Sequence, residues 1–465
     1  MPFLQDISSV AAQSPPYLLR ANNMVSEEQL QAIRQKLQTL KESGELDGEG
    51  ADRSENLHRL FMYPAMMVPA AQEAVIKAFA DCMPVDAWAI DPFMGSGTSL
   101  MSSMEFGFNV YGQDINPFAV VLSRAKVEKY DIPQLKAVCQ EVSDRIAEDN
   151  DTSVAVSFRN IDKWFNPDVQ IDLSKIRRAI QNVDSQLIRY FLWVIMSEVI
   201  RTGSNDRTST FKLHRRSEED IQKRNVNVIK EFAVLVNRGI EDIATYWDKL
   251  SKEDEKVGAP RQIIADIRWG NTKESIETDT EFDLLVSSPP YGDNHTTVTY
   301  GQTSYLPLQW IDPKDLSCPY DYVKTTQEID RRSLGGQTIK KEVMVSIAPV
   351  YTKAPTLKSF FEGVPADEQE KYYKTLSFIA DFDKSLDKIV ANMKDDAFYI
   401  WTIGNRFVGN REVPNDQVLI ELMESRGIQL FERAERQILN KKQPKKNNFS
   451  KTMEKEHILI FHRSM

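Results

Sequence analysis

The stretch Phe282-Asp283-Leu284-Leu285-Val286-Ser287-Ser288-Pro289-Pro290-Tyr291 constrains this chain more than any other. Its apolar run has the length and content of a strand buried on both faces, as in a parallel sheet. Two consecutive prolines end it, because proline cannot donate to a central ladder. Pro290 fixes its own φ and presses Pro289 toward an extended shape, so the exit is stiff. A hydroxyl (Ser288), a carbonyl with no competing N–H (Pro289) and a flat ring (Tyr291) are thereby held at the carboxyl end of a strand. Open α/β sheets bind ligands at that end. Two acceptors and a stacking face suit a planar group with an exocyclic amine. Taken alone, the tetrapeptide reads equally as an ordinary strand exit with a packed tyrosine.

A second exit lies upstream. The short apolar strand Ala87–Ile90 runs into Asp91-Pro92-Phe93-Met94-Gly95-Ser96-Gly97-Thr98-Ser99, with a helix expected from about Thr98. Glycines at a strand-to-helix turn let a ligand approach the backbone closely. No lysine follows them, which disfavours a nucleotide triphosphate, and the third glycine of a dinucleotide fingerprint is missing. The next strand, Asn109–Gln113, ends in Asp114-Ile115-Asn116-Pro117. An acidic residue there is placed to bind ribose hydroxyls, although a helix N-cap is the alternative reading of Asp114. A further strand, Gln262–Asp266, puts Asp266 where it could accept from an adenine amino group or cap a turn.

Elsewhere, strands and helices alternate, which argues for a doubly wound, Rossmann-like α/β sheet. Residues 1–50 read as an N-terminal helical arm, its helix spanning about Val25 to Leu46 with Ser26 as N-cap and Gln29 three residues on. A Gly- and acid-rich linker, Gly44–Glu55, follows. Residues 51–127 form the first part of the sheet domain. Residues 128–257 are mostly helical and charged and read as an inserted subdomain. Residues 258–465 complete the sheet, with a polar insert near 313–370. Gln429–Arg436 and Glu456–His462 read as an antiparallel pair.

The 465 residues carry a net charge of −10. A nucleic-acid partner therefore requires local basic patches. Candidates are His214-Arg215-Arg216, Arg331-Arg332 with Lys340-Lys341, and Lys441 to Lys446; each also reads as solvated surface. The cysteines Cys82, Cys139 and Cys318 are far apart, with neither metal spacing nor a disulfide framework. No apolar run approaches roughly 20 residues, and Met1–Asp6 lacks a secretory pattern, so a cytoplasmic protein without a membrane span is expected. The expected state is a monomer or weak dimer, and no metal is expected.

Asp91 to Thr98 resembles the cofactor loop of the amino-directed DNA methyltransferases. Ser288-Pro289-Pro290-Tyr291 resembles their catalytic motif in its N4-cytosine form. His58 to Pro69, including Tyr63 and Pro64, is similar to the segment that closes over the methionine part of the cofactor. Ser287–Trp310, Gly404–Gly409 and the tail from Lys441 to His462 are similar as well, so the resemblance covers most of the chain from about residue 55. It implies S-adenosylmethionine as cofactor, held by Tyr63, Pro64, Asp91, Pro92, Phe93, Gly95, Ser96, Gly97, Thr98, Asp114, Ile115, Asn116 and Asp266. It implies double-stranded DNA as substrate, a flipped base and a cognate restriction endonuclease as partner. Adenine-directed members more often carry Asp or Asn where this chain has Ser288, so cytosine N4 is favoured and adenine N6 is the alternative. A non-catalytic cofactor-binding recognition protein is a further alternative. Trp164, Arg207, Lys212, Arg215 and Arg216 in the helical segment are candidates for DNA contact, with the 313–370 insert as competitor.

Overall fold

The computed structural model describes residues 25–48, 57–64, 67–209, 212–257, 262–294, 297–337, 340–438 and 453–463. The N-terminal residues Met1–Asp6, most of the expected linker and the basic run Lys441–Lys446 lie outside them.

Nine strands are described: β1 (Trp88–Asp91), β2 (Asn109–Asp114), β3 (Ala265–Trp269), β4 (Phe282–Ser287), β5 (Met393–Ile403), β6 (Arg406–Val408), β7 (Arg411–Val413), β8 (Gln429–Gln437) and β9 (Lys455–His462). Seven form one sheet in the order β3-β2-β1-β4-β5-β9-β8, and β6 and β7 make a separate hairpin. The first five of the seven are parallel, while β9 runs antiparallel to β5 and to β8. The chain winds outward from β1 through β2 to β3, then returns to place β4 on the other side of β1. The switch point thus falls between β1 and β4, which are direct neighbours with Ile90 opposite Leu285.

Both faces of the sheet are covered, which is why β4 is buried at all six positions. Ile90, Tyr111, Leu285, Tyr399 and Trp401 point to one face and share a core with helices Lys340–Lys353, Pro355–Glu362, Tyr373–Val390 and Asn415–Glu424. Alternate residues Ala89, Leu284, Val286, Phe398 and Ile400 pack on the other face against Glu27–Ser43 and Pro69–Ala80. Burying each such leucine or isoleucine contributes about 1.5–3 kcal/mol. The arm helix has the capping box read from Ser26 and Gln29, and it ends at Gly44 in the left-handed conformation.

The segment 128–257 lies between β2 and β3 in the chain. Its helices Ile132–Glu148, Pro167–Gln181, Gln186–Gly203 and Val228–Val257 share one core with Val110 of β2, Ile267 of β3 and helix Pro117–Val127. Leu192, Trp193, Val194 and Ile195 are buried all round the third of these helices, so it is an inner layer of the sheet domain rather than an appended lobe. Trp164 belongs to the same core, which removes it from the candidate DNA contacts.

Candidate active site

The carboxyl ends of β1, β2, β3 and β4 open into one cavity with about 830 Å³ of empty space, part of it open to solvent. The first wall is the loop after β1. Gly95 and Gly97 both have positive φ, 48° and 74°, which L side chains rarely adopt. A Cβ on Gly97 would come within 2.9 Å of Ser123 Oγ, and one on Gly95 would meet the Tyr63 ring at 3.4 Å. Glycine is thus required by conformation at both positions and by space at Gly97. Lys126 is fully buried beneath the loop and donates to the Ser96 carbonyl at 2.9 Å; burial pushes its ammonium down to about 7.

Asp114 ends β2. Its two carboxylate oxygens accept from Gly95 N at 2.9 Å and Asn116 N at 2.8 Å, so it ties the glycine loop to the second strand. The helix N-cap is Asn116, whose side chain accepts from Phe118 N, and Asp114 does not serve as one. Burial raises the Asp114 carboxyl to about 6, against the lowering effect of its backbone donors. Asn116 Nδ2 also donates to Tyr63 Oη at 3.1 Å and to Ser304 Oγ at 2.8 Å. Tyr63 stacks beside Tyr300, with ring centroids 5.8 Å apart.

The opposite wall comes from the β4 exit. Ser288 and Pro290 line the cavity together with Asn294. Asn294 Nδ2 donates to Ser333 Oγ at 2.9 Å, while its buried Oδ1 has no hydrogen-bond partner among the described residues. The strap Ile329, Ser333 and Leu334 from the 313–370 insert completes the enclosure.

Of the expected cofactor residues, Tyr63, Pro92, Phe93, Gly95, Ser96, Thr98, Asp114, Ile115 and Asn116 line this cavity. Pro64, Gly97, Pro289 and Tyr291 are not among the residues that line it. Asp91 is buried below it, where Ser287 Oγ (2.7 Å), Phe93 N (3.0 Å) and Ser99 Oγ all donate to its carboxylate. Its position makes it a support of the loop rather than a ligand contact. Asp266 is corrected: it is the second residue of β3, not the last, and its carboxylate is paired with Arg268 at 2.8 Å. The strand continues through Trp269, so Gly270, Asn271 and Thr272 reach the cavity instead. Those three, with Met67, Met94, Asn294, Tyr300 and the Ile329–Leu334 strap, were not singled out as contacts in the sequence. The signal available was the polar Gly-Asn-Thr turn directly after an apolar strand.

The basic candidates behave differently. Arg207 and Lys212 are exposed, whereas Arg215 and Arg216 are half-buried and Arg215 pairs with Glu218 at 2.6 Å. An isolated bridge between Asp206 and Arg215 holds this loop together. Leu213 N donates to Gln302 Oε1 at 3.2 Å, and Gln302 belongs to helix Tyr300–Trp310, whose first residue lines the cavity. The loop therefore leans on the wall of the site. Arg331 and Arg332 are paired with Glu328. Among the described residues no group of His, Cys, Asp or Glu could hold a metal ion, and no helix is long and apolar enough to cross a membrane.

A doubly wound sheet with a glycine loop after its first strand, a carboxylate ending the second and a polar exit after the fourth places the chain in the class of open α/β proteins whose ligands bind across the switch point. Comparison with known proteins narrows this class. The chain is 33% identical over 421 residues to the Type II methyltransferase M.MvaI of Kocuria varians, covering 87% of this chain and 90% of that protein. Over 97 residues it is 35% identical to the Type II methyltransferase M.MjaII of Methanocaldococcus jannaschii, covering 21% of this chain and 18% of that protein. A scan against protein-family models finds no match. The chain belongs to the Type II DNA methyltransferases.

Proposed function

We propose that this methyltransferase transfers a methyl group from S-adenosylmethionine to the exocyclic N4 amine of a cytosine flipped out of double-stranded DNA, at a specific site and within a restriction–modification system. The observation that carries this reading is the single cavity shared by the Gly95–Asp114 corner and Ser288, on adjacent strand tips.

The residues present fit the cofactor. Gly95 leaves open space where a side chain would meet Tyr63, and the Asp114 carboxylate keeps lone pairs beyond its two backbone donors for ribose hydroxyls. Asn271 offers its side-chain amide to the adenine, the Thr272 hydroxyl fixes the turn by donating to the Pro92 carbonyl and accepting from Gln113 Nε2, and Tyr63 and Met67 cover the methionine end. Bound there, S-adenosylmethionine supplies an electrophilic methyl carbon on a positively charged sulfur.

The chain's own task is to present the amine. In cytosine the amine lone pair is delocalised into the ring. Ser288 Oγ and the Pro289 carbonyl accept its two N–H groups, which favours a pyramidal nitrogen and turns the lone pair toward the cofactor half of the cavity. This is positioning with electrostatic stabilisation and needs no covalent intermediate. Once the N–C bond has formed, the nitrogen is cationic and its excess proton leaves to water. Pro290 keeps the exit rigid, and the Tyr291 ring supports the base. Arg207, Lys212, Arg215 and Arg216 lie on a loop against the cavity wall and reach the DNA backbone.

The test is to incubate the protein with methyl-labelled cofactor and duplex DNA, then to resolve the nucleosides. Label on N4-methylcytosine is expected. Label on N6-methyladenine moves the target to the alternative base, and unlabelled nucleosides overturn the reading. Ser288→Ala should slow transfer about 10- to 100-fold, the scale of one lost transition-state hydrogen bond, with cofactor affinity nearly unchanged.

A further inference from the structure

A hydrogen-bonded chain runs from the Ser288 hydroxyl away from the cavity and into the sheet. Ser288 Oγ and Tyr291 Oη lie 3.1 Å apart, Tyr291 Oη donates to Glu456 Oε1 at 2.9 Å, and Arg436 Nε donates to Glu456 Oε2 at 2.6 Å. Glu456 is on β9 and Arg436 on β8, so two residues of the antiparallel edge reach the catalytic exit.

Each group has a fixed capacity. A guanidinium only donates, and the carboxylate it faces only accepts. The single Tyr291 proton must therefore go to Glu456. Burial, followed by the Glu456 charge, holds the Tyr291 phenol well above its usual range, so the ring keeps that proton. The one proton that can lie between Ser288 and Tyr291 is then the serine's own. With its proton turned backward, Ser288 Oγ shows the cavity lone pairs only.

We propose that Glu456 is a positioning residue for methyl transfer: acting through Tyr291, it orients the Ser288 hydroxyl as an obligate acceptor for the target amine. This rests on the reading of Ser288 as the amine's acceptor. The frame around the chain is built to hold it. Asn415 Nδ2 donates both to the Tyr291 carbonyl at 3.1 Å and to the Gly404 carbonyl at 2.9 Å. A Cβ on Gly404 would lie 2.9 Å from Tyr291 Cδ2, so that glycine lets the ring pack directly on backbone. The arrangement also discriminates. A hydroxyl free to rotate could donate to a ring nitrogen or carbonyl, whereas one fixed as an acceptor selects a group bearing N–H.

Glu456→Gln tests this by reversing the polarity. Arg436 would hold the amide oxygen, leaving the amide NH₂ to donate to Tyr291, whose proton would then fall on Ser288. The single-turnover rate should drop about tenfold or more, with affinities for S-adenosylmethionine and for DNA within about twofold of the parent. Adding Tyr291→Phe removes the misdirected proton while keeping the ring, so the double variant should transfer about threefold or more faster than Glu456→Gln alone. A purely structural role predicts a further loss instead. A parental rate in Glu456→Gln, or a double variant no faster than the single, overturns the proposal. Ser288→Ala separates the two levels: if it is slow while Glu456→Gln is unimpaired, only the Glu456 role falls. If Ser288→Ala itself transfers at the parental rate, the acceptor reading falls and the Glu456 role with it. Should Glu456→Gln fail to fold by circular dichroism, Tyr291→Phe alone decides. A severalfold slower transfer with unchanged cofactor affinity supports the chain, and an unchanged rate overturns it.

Discussion

Ser287 Oγ donates to Asp91 Oδ1 at 2.7 Å, joining the last residue of β4 to the last residue of β1. The two strand tips that bound the cavity are thus locked below its floor by one hydrogen bond to a buried carboxylate, held at about 6 mainly by burial. Ser287→Ala leaves that carboxylate with one donor fewer. A loss of about 1–3 kcal/mol is expected, read as a lower urea midpoint with an unchanged m-value.

The ribose-binding role proposed for Asp114 predicts pH-dependent cofactor binding. Its carboxyl is raised to about 6, so it is mostly ionised at pH 7 and protonated below that value. Protonation removes the charge and a lone pair that ligand hydroxyls need. The association constant for S-adenosylhomocysteine should be level above about pH 7 and fall toward tenfold per pH unit well below 6. Asp91 titrates in the same window, so calorimetry on Asp114→Asn is the control. It should bind weakly at pH 7 and lose most of the slope.

Asp266 and Asn271 sit on the same strand and its exit but should differ. Asp266 is paired with Arg268 and is not among the cavity's lining residues, so Asp266→Ala should change S-adenosylhomocysteine affinity by less than about twofold. Asn271 lines the cavity. Asn271→Ala should weaken the same affinity about fivefold to tenfold. Isothermal titration of both variants checks the pair.

Asp315 joins the second insert to the helical layer. Arg189 Nη2 meets it at 2.8 Å and Trp193 Nε1 donates to it at 2.8 Å, all in the interior. Asp315→Ala strands a buried guanidinium, and a loss of about 3–5 kcal/mol is expected. Thermal and urea unfolding report it directly.

The exit at Ser288–Tyr291, the glycine loop and Asp114 were all legible from the chain, because each depends on local constraints. Proline ends a central strand wherever it occurs, and a left-handed turn at Gly95 and Gly97 admits few other residues. The Asp266 expectation failed because β3 starts three residues later than its apolar pattern suggests, so the exit moved to Gly270. The helical segment read as an insertion because charge dominates the outer surfaces of its helices. Its buried faces, such as Leu192 to Ile195, could equally have formed a separate core.

The order of apolar runs and breakers along this chain was enough to determine a doubly wound sheet and the residue types at two of its strand tips. Those properties follow from each residue's own φ preference, donor capacity and side-chain period. Only the tertiary structure decided that the tips are neighbours, that Ile329 to Leu334 close the cavity and that Glu456 stands behind Tyr291. The strand-tip pairing joins residues 196 positions apart and the Tyr291–Glu456 pairing residues 165 apart, and no local preference encodes them. They arise when β4 inserts beside β1 and β9 folds back along β5, where burying both faces of the sheet leaves one register that keeps the apolar side chains of β4 and β5 inside.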